Sequence, residues 1–126
     1  QGNISLRSLH DQPYDPNNEQ LQQATQSSPM LVVNGKATQF NADAASSRRS
    51  IVAVDKQGRL LLIVSPSVAF SLGELEDLLV SSDLSIDRAL NLDGGASTAL
   101  YVNSGSQQVA IDSVAKLPLV IIVRTK

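Results

Sequence analysis

The chain has 126 residues, 42% of them apolar, with 10 Lys and Arg against 12 Asp and Glu, the size and balance of one compact domain over residues 1–126. At this length about two-thirds of the surface of the unfolded chain is buried on folding, so stability requires neither a disulfide nor a metal. A net charge of -2 excludes the basic stripe of a nucleic-acid surface, the absence of cysteine excludes thiolate chemistry, and no apolar run is long enough to span a bilayer. The opening Gln1-Gly2-Asn3 is neither a start codon residue nor a leader, and reads as a cleavage point or boundary with sequence upstream.

Ile4 and Leu6 alternate with polar residues and predict a short half-buried strand. Pro13-Tyr14-Asp15-Pro16 ends it, after which Asn17 or Asn18 can cap a short polar helix reaching Gln26. Residues 30–33 form a compact apolar run between Pro29 and Asn34-Gly35, the pattern of a buried strand followed by a tight turn. Residues 39–47 read as an irregular polar loop. Two β-rich stretches, 50–54 and 59–64, flank Asp55-Lys56-Gln57-Gly58 and predict a hairpin, with Gly58 supplying a positive φ. Ser71 and Glu74 form a capping box, with Phe70 and Leu75 as its hydrophobic staple, and open a helix running to about Val80. Leu72, Leu75, Leu78 and Leu79 share one face of that helix and predict that it covers a sheet or another helix.

Residues 81–86 are a turn-rich connection, 88–92 a strand ending in Asp93-Gly94-Gly95, 99–102 the next strand, and 103–107 a polar turn. The unbroken β-branched run at 119–123 predicts a strand buried on both faces. Together these elements predict an α+β fold: a mixed, largely antiparallel β-sheet with a few packed helices.

The segment with most chemical content is Asn91-Leu92-Asp93-Gly94-Gly95-Ala96-Ser97-Thr98, between two apolar strands. Paired glycines allow close approach of backbone to ligand and expose successive N–H groups to an anion. Asp93 offers a carboxylate for nucleophilic or general-base work, and Ser97 and Thr98 offer hydroxyls. The competing explanation is a turn in which Asp and Gly serve geometry alone. The segment lacks the Lys of a P-loop and the third Gly of a dinucleotide fingerprint, and the chain has no G-x-S-x-G elbow.

Arg48-Arg49 precedes the first hairpin strand, where a guanidinium could clamp a phosphate or simply be solvated. His10 is the only histidine, so a catalytic triad or histidine-rich metal site would hang on one terminal residue. Tyr14, Phe40, Phe70 and Tyr101 are the whole aromatic set, too few for the platforms of a long polysaccharide groove, and a compact polar site is the natural expectation.

Four ordered blocks now point to a family. Ser28-Pro29-Met30-Leu31-Val32-Val33-Asn34-Gly35-Lys36, Arg49-Ser50 with Asp55-x-x-Gly58-Arg59-Leu60, Ser71-x-x-Glu74-Leu75, and Ala89-Leu90-Asn91-Leu92-Asp93-Gly94-Gly95-x-Ser97 resemble the phosphodiester glycosidases. This family includes the mannose 6-phosphate uncovering enzyme, an N-acetylglucosamine-1-phosphodiester α-N-acetylglucosaminidase. The resemblance spans residue 28 to the C-terminus. Ser50 stands where Thr is usual, Ala96 replaces a frequent third Gly, and an Asn-Gly-x-Phe-like motif expected upstream does not occur. The last departure implies a domain lacking its N-terminal part.

The resemblance implies a hydrolase acting on the glycosidic bond of a sugar-1-phosphodiester or phosphorylated glycan, in cell-envelope or exopolysaccharide metabolism and outside the cytoplasm. It implies Asp93 and Arg49 as catalytic residues and Asn91, Gly94, Gly95, Ser97 and Thr98 as substrate-binding ones, with no cofactor and no metal. A phosphate monoester is a good leaving group, so one carboxylate carries much of the chemistry. For a second carboxylate, Asp43 and Asp87 are candidates without motif support. The alternative is a non-catalytic carbohydrate-phosphate binding module or an inactive fragment of the domain.

Overall fold

A computed structural model describes residues 3–39 and 45–125. The chain builds β1 (Met30–Val33), β2 (Lys36–Ala37), β3 (Ser47–Asp55), β4 (Leu60–Phe70), α1 (Leu72–Ser81), β5 (Ile86–Asn91), a 3-10 turn (Gly95–Ser97), β6 (Leu100–Asn103) and β7 (Gln108–Ile111). The first five strands form one sheet in the order β2-β1-β5-β3-β4, and β6 pairs with β7 in a separate ribbon. Each of these pairings is antiparallel. The fold is therefore α+β, as expected, with one α-helix against the sheet.

Local chemistry explains the elements nearest the expected ones. Asn34 (φ 51) and Gly35 (φ 75) make the turn between β1 and β2 in the left-handed region. The β3–β4 hairpin turns on Asp55, whose buried carboxylate accepts from the amides of Gln57 and Arg59 at 2.9 and 2.8 Å and from Arg59 Nε at 2.6 Å. The Arg59 amide, with the other donors, holds this carboxyl below its ordinary range. At the start of α1, the Glu74 amide donates to Ser71 Oγ and the Ser71 amide donates back to Glu74 Oε2 at 2.8 Å. A cap of this kind contributes about 1 kcal/mol.

The core lies between α1 and one face of the sheet. Register puts Ile51 opposite Ile63, and Ala53 opposite both Leu61 and Ala89, so these side chains share a face. Leu72, Leu75 and Leu79 of α1 join Leu31, Val32 and Ile86 in this cluster, with Phe70 packed at its margin. Leu78 departs from the expected apolar face and is exposed, while Glu76 is buried and accepts from Thr38 Oγ1 at 2.8 Å. Arg88 projects from the opposite face and donates from Nη1 to Leu6 O at 2.9 Å, holding the N-terminal segment to the sheet.

Four expectations are corrected. Residues 4–6 form no strand; they lie along the sheet as irregular chain tied through Leu6 O. Residues 17–26 form no helix, because Asp15 takes the Asn17 amide and the Asn18 side chain into a closed turn and Leu21 has no surface to pack on. Residues 119–123 form no strand and stand exposed, with no ladder partner among the described residues. Ser47, expected in a loop, instead opens β3; Phe40 and Asp43 lie outside the described residues.

The N-terminal segment carries its own acid-sensitive clamp. Arg7 Nη2 donates to Glu19 Oε2 at 2.7 Å, and the Asp15 amide donates to the same oxygen at 3.2 Å. The Arg7 hydrogen bond first, then the Asp15 amide, depress the Glu19 carboxyl to about 2. A depressed carboxyl stabilises the folded state above its unfolded pKa of about 4.3 and loses that contribution as the pH falls toward its folded value. Limited proteolysis is expected to cut residues 3–28 faster as pH drops from about 4.3 toward 2, and Arg7→Gln should show the faster cutting already at neutral pH.

Candidate functional site

Strand directions bring one set of chain ends together. In this antiparallel sheet the first residues of β1 and β3 lie beside the last residues of β4 and β5, and α1 starts directly after β4. At that end the Asn91 amide donates to Pro29 O at 3.0 Å and the Leu92 amide to Ser50 O at 2.8 Å. The Asp93 segment therefore leaves the sheet anchored on both neighbouring strands.

Gly94 then passes so close to β3 that a Cβ built on it would lie 2.8 Å from Arg48 O and 3.6 Å from Arg49 Cα. This is a backbone wall, so only glycine fits without displacement. Gly95 follows with φ +60 and begins the 3-10 turn, in which the Ser97 amide donates to Gly94 O and the Thr98 amide to Gly95 O. Thr98 is fully buried and accepts from Ser50 Oγ at 3.2 Å, pinning the end of the turn to β3.

The two arginines leave β3 in different directions. Arg49 donates from Nε to Phe70 O at 3.2 Å and from Nη2 to Ala45 O at 2.9 Å. These bonds fix the guanidinium plane beside the start of α1 and leave Nη1 without a hydrogen bond among the described residues. Arg48 instead reaches Asp112 O, 3.0 Å from its Nη2. Between Arg49 and Ser47 the register on β4 jumps from Ser65 to Phe70, where Pro66 has no amide to donate, so residues 66–69 bulge at the same end of the sheet.

The sequence-derived residues are thus neighbours in the fold, with different surroundings. Asp93 is exposed and engages no hydrogen bond or ion pair among the described residues. Asn91 donates through Nδ2 to Ser28 O at 3.3 Å, while its Oδ1 is buried without a donor among the described residues. Ser97 is half-buried on the turn, and Thr98 faces β3. Asp87 lies toward the other end of β5 and pairs with Arg88, 3.6 Å apart. No group of His, Asp and Glu among the described residues has the arrangement of a metal site, and no described helix is long and apolar enough to cross a membrane. His10 sits exposed beside Asp11.

Sequence reasoning did not find the attachments of this turn. Ala96 O accepts from the amides of Val114 and Ala115 at 2.8 and 3.0 Å, a contact between backbone groups that no side-chain pattern announces.

The model of the phosphodiester glycosidase family matches residues 3–124. The chain belongs to this family. In this phosphodiester glycosidase the matched span also takes in the N-terminal segment ahead of the first recognisable block. Searches of curated proteins and of solved structures returned no match.

Proposed function

We propose that this chain hydrolyses the glycosidic bond of a sugar-1-phosphodiester, with an extracytoplasmic or cell-envelope glycan as its natural substrate. The observation that supports the reading is the packing of the glycine turn against the β3 backbone at Arg48 O and Arg49 Cα, so that the turn carrying the exposed Asp93 adjoins the strand whose Arg49 guanidinium is held by two carbonyls.

In this reading the bond between the anomeric carbon and the phosphate oxygen breaks, and the electron pair leaves with the phosphate monoester. Water supplies the new oxygen at the anomeric carbon and gives up its proton. Asp93 is the carboxylate assigned to stabilise the oxocarbenium-like centre or receive that proton. Arg49, its plane held by two carbonyls, offers Nη1 to the departing phosphate. The Gly94 and Gly95 backbone and the Ser97 hydroxyl bind phosphate or sugar oxygens, and Thr98 secures the turn from beneath.

The test is incubation with a panel of sugar-1-phosphodiesters, with both the released sugar and the phosphate monoester measured. Equal release of both supports the reading. Release of sugar-1-phosphate would mean that the phosphoester bond was cut instead and would overturn it. Saturable binding of a sugar-1-phosphate with no turnover would assign the chain to the alternative class, a non-catalytic carbohydrate-phosphate module.

A further inference from the structure

Arg48 touches the Asp93 turn by two routes. Its carbonyl oxygen is the wall against which Gly94 packs. Its side chain donates from Nη2 to Asp112 O, just beyond the end of β7, and two residues later the Val114 and Ala115 amides both donate to Ala96 O in the middle of the 3-10 turn. The contacts close a ring: Arg48 to Asp112, along the chain to 114–115, across to Ala96, and back through Gly94 to Arg48.

The ring matters because the turn has little holding power of its own. Inside it are two short-range backbone bonds, Ser97 to Gly94 and Thr98 to Gly95, and one hydroxyl pair to β3. A three-residue 3-10 turn does not maintain its orientation on such bonds alone. Outside attachments decide where it points, and the 112–115 segment supplies two of them on one carbonyl. Among the described residues that segment has no sheet partner, and Arg48 ties it to β3. Arg48 Nε is buried without an acceptor among the described residues, while the Nη2 bond to Asp112 O lies at the surface.

We propose that Arg48 is a positioning residue: by holding Asp112 O it straps residues 112–115 over Ala96 and fixes the orientation of the turn that presents Asp93, Gly94 and Gly95. Its catalytic meaning rests on the reading of that turn given under Proposed function; the strap itself does not.

The experiment compares the full chain with Arg48→Gln and Arg48→Lys by amide hydrogen exchange, using the β3–β4 hairpin as internal reference. Arg48→Gln is expected to speed exchange at Ser97, Thr98, Val114 and Ala115 about tenfold, the loss of one hydrogen bond from a charged donor, with the hairpin unchanged. Arg48→Lys, which keeps a charged donor without the rigid fork, should fall between. Unchanged exchange at those four amides in Arg48→Gln overturns the proposal. Should that variant unfold throughout, Arg48→Lys decides, since native exchange at the same amides would show that the fork holds nothing. With a cleaved substrate in hand, kcat should fall in Arg48→Gln at nearly constant KM and recover in part in Arg48→Lys; an unchanged kcat despite faster exchange would separate the strap from the chemistry. Faster exchange in a protein that turns over no substrate leaves the strap standing and removes the catalytic reading of the turn.

Discussion

Asp93→Asn is expected to lower hydrolysis of any sugar-1-phosphodiester this chain cleaves by about a thousandfold or more, while the thermal midpoint hardly moves. The first half follows from chemistry. An amide has nearly the shape of the carboxylate but neither the charge that stabilises a cationic anomeric centre nor the basicity to take a proton from water. The second half follows from placement, because Asp93 is exposed and no described side chain or amide depends on it. Steady-state rates beside a thermal melt check both halves, and a variant with wild-type turnover would remove Asp93 from the mechanism.

Gly94→Ala should cost both activity and stability. The new methyl would sit 2.8 Å from Arg48 O, a main-chain atom of β3 rather than the end of a flexible side chain. Either the turn lifts off β3 or β3 shifts, with a loss of about 1–3 kcal/mol by comparison with other overpacked sites. Lifting the turn also displaces Asp93, so turnover should fall more than the fraction folded. Gly73→Ala is the matched control. It lies in α1 with nothing within 4 Å of a built Cβ, and alanine there should leave activity intact and raise stability by up to about 1 kcal/mol. Equal melting curves for the two variants would show that the contact at Gly94 is slack.

Features whose partners lie within a few residues were legible from the chain alone. The Ser71–Glu74 box and the Asp55 turn each close within four positions, so residue identity and spacing contain the whole interaction. Features decided at long range were not. Glu76 takes the place expected of Leu78 because Thr38, distant in sequence, supplies its donor. The 119–123 run has strand-like composition, but composition describes what the backbone can do and not whether a free edge awaits it. At the candidate site, the order Arg49, Asn91, Asp93, Gly94, Gly95 was readable. The physical reason for Gly94 emerged only when β5 paired with β3 and brought Arg48 O against it. Arg48 read equally well as a solvated charge until Asp112 was found beside it.

The uncovered run at 119–123 makes one short window the chief hazard for this chain's solubility. Five consecutive aliphatic residues, three of them at least 60% exposed, have no charge and no proline among them. Segments of this kind stack into intermolecular cross-β ladders when chains meet at high concentration. Lys116 and Pro118 stand just before the window and Arg124 just after it, in the positions where a charge or a missing amide interrupts such stacking. Neutralising Lys116 and Arg124 is therefore expected to increase aggregation at high concentration, read by light scattering.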